Sequence, residues 1–449
     1  MGLKNKPPLE NKKNFNICVV GAGHVGLVVS AGLAKLGHRV VCVDNNRKKI
    51  ALLKRLSLTF FEPGLESLVR EGVKRGRLYF SYNLSEGIKN SEVIFIAVGT
   101  PPKEDGSVDL TSIENVCRVV AQSLNSYKVI IEKSTVPVHT GGKVKETISR
   151  YKKKKNVSFD VVSNPEFLRE GKAVYDFFNP SRIVLGVESQ RAEKILRTIY
   201  KKLKTPILVT DINTAELIKH ACNSFLATKL SFINAISRIC DLAGADVERV
   251  AEGMGLDSRI GRDFLKAGVG FGGFCLPKDI DAFIHLSEKL GYNFSLLKEV
   301  KKINQEQKSY FVEKIKEYLW VLKDKRIAVF GLSFKPGTDD MRFSPSIDII
   351  ESLVKEKALL FLYDPQAIGE AKRVFSGLAT KKIKFFKEPY SAVKGCDCLC
   401  LLTEWEEFNR LNFKKVKSLM RYPLIADGRN FLDKEKLEKL GFKYIGIGR

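Results

Sequence analysis

Short apolar runs alternate with longer amphipathic segments through the first half of the chain. Runs such as Ile17-Cys-Val-Val20 and Val129-Ile-Ile131 contain no charged residue. Runs of this kind are typical of strands that are buried on both faces of a parallel sheet. They predict an α/β domain with crossover helices. The predicted strands cover residues 17–20, 39–43, 93–98, 129–131, 159–162 and 183–187.

The strand pattern stops from about residue 211 to about residue 322. Within this stretch, a helical pattern from residue 215 to 243 is longer than most globular helices. The alternation then restarts, and strands are predicted at 326–331, 359–363, 398–402 and 423–426. We therefore divide the chain into a polar tail (1–13), an α/β domain (14–210), a central helical domain (211–322) and a second α/β domain (323–449).

The composition is that of an ordinary globular protein. A length of 449 residues is consistent with two or three domains. No apolar run approaches the ~20 residues that cross a bilayer, and the first 13 residues are polar rather than signal-like. The nine cysteines are odd in number and form no CxxC pair, so we expect reduced thiols. These features predict a soluble, cytoplasmic protein without a membrane partner.

The formal net charge of +25 raises the question of a nucleic-acid partner. The lysines, however, are spread over the whole length, and the densest run, at residues 152–155, has no interleaved aromatic residues. We interpret that run as a solvated loop. The positive charge also suits a smaller anion, such as a dinucleotide or a nucleotide-linked substrate. We therefore predict no nucleic-acid partner.

No metal site is predicted. The five histidines are scattered and form no ligand pair. Cys396, Cys398 and Cys400 alternate, which would place them on one face of a strand, and that is not the usual chelating arrangement. We interpret these three cysteines as small core residues.

The segment Gly21-Ala-Gly-His-Val-Gly26 follows the first predicted strand and opens a helix, and Asp44 ends the second strand. This is the dinucleotide-binding fingerprint in its expected context. Gly21 would make the turn, Gly23 would let the backbone approach a pyrophosphate, and Gly26 would allow close helix packing. Asp44 can accept a hydrogen bond from a ribose hydroxyl, which predicts NAD as the cofactor. The basic residues 47–49 leave open that a 2′-phosphate is tolerated.

Two turns rich in Thr and Pro end two further strands. They are Val98-Gly-Thr-Pro-Pro102 and Lys133-Ser-Thr-Val-Pro137. Each could be an ordinary turn if it stood alone. Because open α/β sheets bind ligands at the carboxyl ends of their strands, we predict that Thr100 and Thr135 contact the nicotinamide side of the cofactor.

A glycine-dense loop, Gly268-Val-Gly-Phe-Gly-Gly-Phe-Cys275, leads into Leu-Pro-Lys-Asp279. Glycines let a backbone approach a ligand closely, and proline suits the first turn of a helix. If a helix begins here, its N-terminus and Lys278 would favour the Cys275 thiolate, the reactive form of cysteine. The alternative is a flexible loop with an ordinary buried cysteine.

Two pairs of polar residues are spaced four positions apart. Glu166 and Glu170 would share one face of a helix, and Lys219 and Asn223 repeat that spacing in the predicted long helix. Such pairs usually belong to a surface. Beside a thiolate they would supply what an alcohol or aldehyde oxidation needs: a base, a cation for oxyanion charge and a carboxylate that activates water.

In combination, the motifs resemble the UDP-glucose/GDP-mannose dehydrogenase family. The resemblance covers nearly the whole chain, and the motifs are GAGHVGL, FEPGL, VGTPP, KSTVP, NPEFLREG, AELIKHACNSFLATK, GADVERV, GFGGFCLPKD and FGLSFKPGTDDMRFSPSI. It implies an NAD-binding and a UDP-sugar-binding Rossmann-like domain, joined by a long helical dimerisation segment. It also implies a homodimer or a higher homo-oligomer.

The reaction that the resemblance implies is a four-electron oxidation of a sugar C6 alcohol to a carboxylate, with two NAD+ used in succession. Cys275 would hold the aldehyde as a thiohemiacetal and then as a thioester. Glu166, aided by Thr135, would position the water that hydrolyses the thioester. The GFGG and LPKD surroundings of the cysteine resemble the branch that acts on UDP-glucose, and GDP-mannose or a UDP-N-acetylhexosamine is the alternative.

The resemblance also assigns the remaining site residues. Lys219 and Asp279, with an ordered water, would handle the alcohol proton and stabilise oxyanions, and Asn223 would complete the oxyanion contacts. The implied cofactor contacts are Gly21, Gly23, His24, Val25, Gly26, Asp44, Lys49, Thr100, Thr135, Glu170, Lys278 and Arg342. The implied substrate contacts are Glu166, Phe167, Leu168, Glu170, Lys219, Asn223, Phe264, Leu265, Lys266, Ala267, Gly268, Gly272, Lys335, Arg429 and Arg259, the last of which would reach a neighbouring subunit.

One residue departs from the family pattern. Phe274 stands where Ser is frequent before the cysteine, which adds bulk and removes a hydroxyl without touching the reactive groups. Two other functions stay open on the sequence alone. A non-catalytic nucleotide- or RNA-binding protein would show loss of catalytic residues, and none of the six is missing. A two-electron β-hydroxyacid dehydrogenase would need neither Cys275 nor a second α/β domain.

Overall fold

The computed structural model describes residue 9, residues 12–378 and residues 382–449. Its internal contacts divide the chain into two compact units. The first consists of residues up to Cys222 together with Asp281–Leu290, and the second consists of Asn223–Ile280 together with Gly291–Arg449. Each unit is built around one sheet.

Within the described residues, the first unit has eight strands: β1 (Asn16–Val20), β2 (Arg39–Val43), β3 (Leu78–Ser81), β4 (Val93–Ile96), β5 (Lys128–Glu132), β6 (Phe159–Ser163), β7 (Ile183–Gly186) and β8 (Ile207–Thr210). Its helices are α1 (His24–Leu36), α2 (Arg47–Lys54), α3 (Leu65–Lys74), α4 (Leu84–Lys89), α5 (Thr111–Ser123), α6 (Thr140–Tyr151), α7 (Ala173–Phe178) and α8 (Gln190–Tyr200). The strand order is β3-β2-β1-β4-β5-β6-β7-β8.

Four helices follow: α9 (Ile212–Ala243), α10 (Val247–Gly255), α11 (Cys275–Lys289) and α12 (Ser295–Leu319). The boundary between the units falls inside α9 and again inside α11. The sheet of the second unit contains β9 (Arg326–Phe330), β10 (Leu359–Tyr363), β11 (Ile383–Phe385), β12 (Cys398–Leu401), β13 (Leu424–Asp427) and β14 (Lys443–Ile445). Its helices are α13 (Pro345–Lys355), α14 (Ile368–Val374), α15 (Pro389–Val393), α16 (Glu406–Asn409), α17 (Phe413–Leu419) and α18 (Lys434–Lys439). The strand order is β11-β10-β9-β12-β13-β14.

The predicted fold class of two Rossmann-like sheets with a long helix between them in sequence is confirmed. The predicted strands are all present and differ from the observed ones by at most two residues at an end. The long helix α9 begins three residues before the predicted start. The prediction that every strand of the first sheet is parallel is wrong at one place, because β7 is antiparallel to β6. Apolar runs look the same in both orientations, so the pattern could not reveal this reversal.

Apolar side chains cover both faces of each sheet. In the first unit, Val19 and Phe95 face one core, and Cys18 and Ile94, their neighbours along the same strands, face the other. This alternation follows from the two-residue repeat of a strand. The same alternation separates the two cores of the second sheet. None of the helices that the structure describes is both long enough and apolar enough to cross a bilayer.

The alternating cysteines in and just before β12 are core residues, as predicted. Cys396, Cys398 and Cys400 are fully buried, and the Sγ atoms of Cys398 and Cys400 lie 3.8 Å apart. Burial raises the pKa of Cys396 to about 12. Among the described residues, no three His, Cys, Asp or Glu side chains are grouped so that they could hold a metal ion.

Candidate active site

The glycine-rich turn after β1 has the geometry of a dinucleotide-binding loop. Gly21 has a φ of +106°, and a Cβ at this position would lie 2.4 Å from the carbonyl oxygen of Ala97. A Cβ on Gly26 would lie 1.9 Å from the carbonyl oxygen of Gly21, so α1 can approach the turn only without a side chain there. Gly23 faces open space, because no atom lies within 4 Å of its Cβ position. The open backbone at the N-terminus of α1 fits a pyrophosphate.

Asp44 lies at the end of β2, as the fingerprint predicts. Its Oδ2 accepts hydrogen bonds from the backbone N–H of Ala22 at 2.9 Å and from Lys49 Nζ at 3.1 Å, and its Oδ1 accepts the N–H of Asn46 at 2.9 Å. Burial alone would raise the pKa of Asp44, but these hydrogen bonds outweigh it and the pKa lies below its usual value. Asp44 is therefore an ionised acceptor, which suits a ribose hydroxyl.

His24, the first residue of α1, connects the dinucleotide turn with two other segments of the first unit. Its ring lies on the ring of Phe60, with 3.9 Å between centroids. Its Nδ1 lies 3.4 Å from Oε1 of Glu170. The structure therefore places two of the predicted cofactor residues, His24 and Glu170, side by side.

The prediction that Glu166 and Glu170 share a helix face is wrong, because residues 164–169 do not form a helix. Pro165 lacks the backbone N–H that a helix interior uses. The carboxylate of Glu166 instead accepts the backbone N–H of Leu168 at 2.6 Å. The two glutamates consequently have different partners.

The partner of Glu166 is Lys219 of helix α9. Nζ of Lys219 lies 3.1 Å from Oε1 of Glu166, and both side chains are 6% exposed. The same ammonium lies 5.4 Å from the ring centroid of Phe167, and the guanidinium of Arg182 lies 3.9 Å from that ring. A carboxylate and an ammonium are therefore held together in a dry part of the first unit, next to an aromatic ring.

Lys133 is a residue that the sequence reasoning missed. It is buried, and its Nζ donates to Oδ1 of Asn164 at 3.1 Å and to the carbonyl oxygen of Pro165 at 3.4 Å. Burial lowers the pKa of Lys133 to about 8; Glu166 opposes this shift and Lys219 adds to it. A second cation thus accompanies Lys219 near Glu166. Its position inside the KSTVP motif was the only signal in the sequence.

The predicted Thr turns are joined in the structure. Oγ1 of Thr100 donates to the carbonyl oxygen of Thr135 at 3.1 Å. Next to it, Oγ of Ser134 donates to the carbonyl oxygen of Val98 at 2.8 Å. The ends of β4 and β5 are therefore tied together at the carboxyl edge of the sheet, where ligands are expected.

In the second unit, helix α11 begins at Cys275. Cys275 is exposed, whereas the other eight cysteines are buried or half-buried. The alternative interpretation of an ordinary buried cysteine is therefore excluded. The position at the helix N-terminus is the one that favours a thiolate.

The glycine-rich loop before Cys275 follows a course that only glycine allows. A Cβ on Gly272 would lie 2.3 Å from the carbonyl oxygen of Phe343, and Gly270 has a φ of +101°. The amide of Asn304 holds the intervening Phe271 by accepting its N–H at 2.8 Å and donating to its carbonyl oxygen at 3.1 Å. The loop is therefore a braced segment and not a flexible one.

Asp279 is bound from two sides within the second unit. Nδ2 of Asn223 donates to its Oδ2 at 2.5 Å, and Nζ of Lys278 lies 2.8 Å from its Oδ1. The side chain of Asp279 is 1% exposed. Lys278 thus neutralises Asp279, a contact that the predicted roles of these residues did not include.

Phe274 lies between two cations. The ammonium of Lys278 is 5.7 Å from its ring centroid and the guanidinium of Arg342 is 4.5 Å from it. Arg342 is also paired with Asp340, with Nη2 and Oδ2 2.6 Å apart. Both cations are predicted cofactor contacts. Phe274, which departs from the family pattern, therefore contacts two of the residues that are predicted to bind the cofactor.

Of the predicted nucleotide-sugar residues of the second unit, Arg429 contacts the same loop and Gly268 belongs to it. Arg429 donates from Nη1 to the carbonyl oxygen of Gly270 at 2.9 Å and from Nε to that of Leu402 at 2.8 Å. The N–H of Gly268 donates to Oδ1 of Asn234 at 2.9 Å. Arg259 is 87% exposed and paired with Asp257. The remaining predicted residues are Phe264, which has a φ of +64°, the buried Leu265 and Ala267, the exposed Lys266 and the half-buried Lys335.

The second sheet repeats the arrangement of Asp44, which the sequence reasoning also missed. Asp364 follows β10, and its Oδ2 accepts the backbone N–H of Leu332 at 2.7 Å, just after β9. A Cβ on Gly331 would lie 2.5 Å from Cβ of Thr403. In both units, therefore, a carboxylate that follows the second strand accepts a backbone hydrogen bond from the turn that follows the first strand.

The predicted catalytic residues are divided between the two units. Thr135, Glu166 and Lys219 belong to the first unit, and the structure joins Glu166 with Lys219. Asn223, Cys275 and Asp279 belong to the second unit, and the structure joins Asn223 with Asp279.

A dinucleotide turn with an acid at the end of β2, in the same unit as a buried pair of lysine and carboxylate, is the arrangement of a nicotinamide-dependent dehydrogenase. Comparison with known proteins identifies its family. Residues 15–204 match the NAD binding domain of the UDP-glucose/GDP-mannose dehydrogenase family, residues 213–306 match its central domain and residues 328–434 match its UDP binding domain. The chain belongs to the UDP-glucose/GDP-mannose dehydrogenase family, and its cofactor is NAD.

Individual relatives cover the chain almost completely. The UDP-glucose 6-dehydrogenase TuaD of Bacillus subtilis is 43% identical over 433 residues, which are 96% of this chain and 93% of that protein. A solved UDP-glucose dehydrogenase from Pyrobaculum islandicum is 35% identical with a TM-score of 0.90, and the match covers 100% of both chains. A UDP-D-ManNAc dehydrogenase from Pyrococcus horikoshii is 26% identical with a TM-score of 0.84, and the match covers 96% of this chain and 99% of that one.

Proposed function

We propose that the protein is a UDP-glucose 6-dehydrogenase, which converts UDP-glucose, two NAD+ and one water into UDP-glucuronate, two NADH and three protons. The observation that carries this proposal is Cys275, the one exposed cysteine, at the first residue of a helix that follows a braced glycine-rich loop. The similarity to TuaD and to the Pyrobaculum enzyme supports UDP-glucose as the substrate.

The first-unit residues that would hold NAD+ are those of the dinucleotide turn. The backbone of Gly21 to Gly26 would meet the pyrophosphate, and Asp44 would accept a ribose hydroxyl. Thr100 and Thr135, in the turns after β4 and β5, would contact the nicotinamide side. NAD+ supplies the hydride acceptor in both oxidations.

In the first oxidation, a proton leaves the C6 hydroxyl as a hydride leaves C6. An ordered water held by Lys219 and Asp279 takes that proton and passes it to the Asp279 carboxylate. The positive charge of Lys219 stabilises the oxygen while it carries negative charge, and Asn223 adds a hydrogen bond. The product of this step is the aldehyde.

The aldehyde is then held covalently. The thiolate of Cys275 attacks C6, an S–C bond forms, and the carbonyl oxygen takes a proton to give a thiohemiacetal. Loss of a second hydride from C6 and of the hydroxyl proton gives a thioester. Covalent attachment keeps the aldehyde on the enzyme between the two oxidations.

Hydrolysis of the thioester completes the reaction. Glu166 takes a proton from a water that Thr135 helps to position, and the water oxygen bonds to the carbonyl carbon. The C–S bond breaks, the Cys275 thiolate is released and the carboxylate of UDP-glucuronate forms. Glu166 is suited to this role as an acceptor that Lys219 keeps in place.

We further propose a homodimer formed through helix α9. Its surface carries Phe225, Phe232 and Ile239, which are seven residues apart and 65%, 48% and 59% exposed, and Leu242, which is 90% exposed. Seven-residue spacing places these side chains along one face, as in a packed helix pair. Exposed apolar patches of this kind usually mark an interface.

The four-part division with boundaries after residues 13, 210 and 322 belongs to the same proposal, as does a cytoplasmic location. Limited proteolysis followed by mass spectrometry tests the boundaries, because cleavage should concentrate near them. Cell fractionation tests the location.

The decisive experiment compares initial rates on UDP-glucose, UDP-galactose, GDP-mannose and UDP-N-acetylhexosamines, and counts the NADH formed per sugar acid. We expect UDP-glucose to be preferred and two NADH to form. The variant Cys275→Ala should yield no net acid, while Cys240→Ala, which changes a cysteine outside the site, should retain turnover. Preference for another sugar nucleotide would overturn the substrate, and full turnover by Cys275→Ala would overturn the covalent mechanism.

A further inference from the structure

Helix α9 carries two buried polar residues that the proposed chemistry does not use. Glu216 is 2% exposed and His220 is unexposed. They are four residues apart, so they lie on one face of the helix, as Lys219 and Asn223 do on another. Both contact the segment that directly follows Thr135.

Glu216 holds the N-terminus of α6. Its Oε2 accepts the backbone N–H of His139 and its Oε1 accepts that of Gly141, each at 2.7 Å. His139 precedes the helix with a φ of +74° and makes no capping hydrogen bond with its own side chain. The first N–H groups of a helix lack partners within it, so the carboxylate from α9 replaces a local cap.

His220 holds the same segment three residues earlier. Its Nε2 lies 2.8 Å from the carbonyl oxygen of Val136. A carbonyl oxygen can only accept, so Nε2 must carry the hydrogen. The ring lies 5.7 Å from that of Phe283, which limits the orientations it can take.

The contacts of α9 complete a frame around Thr135. On its N-terminal side, the segment is tied to the end of β4 through Thr100 and Ser134. On its C-terminal side, it is tied to α9 through Glu216 and His220. The same helix carries Lys219, which is paired with Glu166. One rigid helix thus relates the backbone of Thr135 to the pair of Lys219 and Glu166.

Other titratable groups around Glu216 are consistent with an acceptor role. Glu132, at the end of β5, is 1% exposed and neither of its carboxylate oxygens has a hydrogen-bond partner. Burial raises the pKa of Glu132 well above its usual value, and the charge of Glu216 adds to this. Burial therefore favours the protonated form of Glu132. Asp211, the residue before α9, adds a further negative charge near Glu216, the backbone N–H of His139 faces it, and His220 lies one turn along the same helix.

We propose that Glu216 and His220 are positioning residues for thioester hydrolysis, which hold Thr135 in register with Glu166 and Lys219. This inference rests on the proposed function, because it requires a thioester at Cys275. Neither residue needs to touch the substrate. Their loss should slow hydrolysis more than the two oxidations, so that the enzyme accumulates as its acyl form.

The test mixes the full-length enzyme with UDP-glucose and excess NAD+ at pH 8, and follows the intact protein by denaturing mass spectrometry. We expect Glu216→Gln to carry a UDP-glucuronyl adduct and to lose roughly 10- to 100-fold in kcat, the scale for a small displacement of a catalytic group, with KM for UDP-glucose nearly unchanged. His220→Phe should behave alike. His220→Gln should keep most of the activity that His220→Phe loses, since the glutamine amide can donate to the carbonyl oxygen of Val136.

Two control variants separate the possible results. Glu92→Gln alters a carboxylate that accepts the N–H of Asn16 at 2.8 Å, at the opposite end of the sheet, and should carry no adduct. Glu166→Gln should carry the adduct if the proposed function is right. An adduct in Glu166→Gln but in neither Glu216→Gln nor His220→Phe overturns the positioning role alone. No adduct in any variant overturns the covalent mechanism. If Glu216→Gln does not fold, the pair His220→Phe and His220→Gln decides.

Discussion

Nζ of Lys219 lies 3.1 Å from Oε1 of Glu166, and each side chain is only 6% exposed. Two charges in such surroundings stabilise each other only as a pair, because either one alone would be buried without compensation. The pair therefore contributes to stability as well as to the proposed chemistry. Substitutions that remove one partner must be distinguished from substitutions that remove both.

We expect Glu166→Gln to lower the free energy of unfolding by about 3 kcal/mol, the low end of the usual cost of breaking a buried ion pair. The amide oxygen still accepts a hydrogen bond from Lys219, but the compensating negative charge is lost. The double variant Glu166→Gln, Lys219→Met should recover part of the loss. Urea denaturation measures both. As a control, Glu146→Gln breaks an ion pair with Arg150 whose side chains are more than 60% exposed, and it should cost almost nothing. A double variant that is less stable than the single one would contradict this account.

The dinucleotide turn gives a second prediction. The Cβ of Gly26→Ala would meet the Gly21 carbonyl, and relieving such overpacking costs about 1–3 kcal/mol. If the turn moves, NAD+ affinity should fall roughly 5- to 150-fold. Fluorescence titration with NADH measures the change. Gly142→Ala, in α6 with open space around it, should leave NADH affinity unchanged. Equal affinity in Gly26→Ala and wild type would show that the turn does not bind the cofactor.

The sequence predicted the elements of the fold better than their relations. The strand at 39–43 was predicted to the residue, because a run of apolar residues between polar ends marks a buried strand without ambiguity. The short strands β3, β8, β11 and β14 were missed, since each has only three or four residues, of which one is exposed. The reversal between β6 and β7 was missed because apolar patterns carry no direction.

For the site, motif spacing pointed to residues whose proposed roles rest on the chemistry of their own side chains. Lys219 and Asn223 stood out by their spacing, whereas Glu216 and His220, in the same motif, gave no sign of their partners. Those partners are backbone groups about 80 residues earlier in the chain. Contacts to backbone leave no residue-type signature at the other end, so only the structure reveals them. The helical spacing inferred for Glu166 and Glu170 was wrong for a different reason, because residues 164–169 do not form a helix.

Phe274 gives a third prediction, because its ring faces Lys278 and Arg342. Each contact is worth about 0.5–1 kcal/mol at a partly exposed site. If those cations contact the cofactor, Phe274→Ser should raise KM for NAD+ about two- to fivefold while KM for UDP-glucose changes less. Phe274→Tyr, which keeps the ring, should match the wild type, and Phe274→Leu should resemble Ser. If Leu matches Phe, then bulk matters at this position and not the ring.

The exposed face of α9 gives a fourth prediction. Phe232→Glu puts a charge in the middle of the proposed interface, and desolvating it there would be unfavourable. We expect the variant to sediment as a monomer at concentrations where the wild type sediments as a dimer. Leu256→Glu changes a leucine that is 83% exposed and lies outside α9, so it should leave the sedimentation coefficient unchanged. Wild-type and Phe232→Glu proteins of the same mass in solution would rule out this face as the dimer interface.

The last prediction concerns the pH dependence of stability. Burial raises the pKa of Glu216 from 4.5 to about 7, against the opposing hydrogen bonds from Gly141, His139 and Thr140. Between these two values the folded protein holds a proton that the unfolded chain has lost. The free energy of unfolding therefore falls as pH rises from about 4.5 to about 7, and this contribution is constant above pH 7. Subtracting the pH profile of Glu216→Gln from that of the wild type isolates the slope.

Urea denaturation at pH 5, 6, 7 and 8 measures that difference. We expect the wild type to lose stability relative to Glu216→Gln from pH 5 to pH 7 and to run parallel to it from pH 7 to pH 8. Burial raises the pKa of Glu132 as well, so the proton that folded Glu132 holds also makes stability fall as pH rises, and Glu132→Gln should likewise flatten the profile. Each substitution removes the contribution of one buried glutamate, so the two variants measure the two contributions separately. A Glu216→Gln profile that runs parallel to the wild type across the whole range would show that Glu216 does not titrate near neutral pH, and that its carboxylate holds the α6 N-terminus in the ionised form throughout.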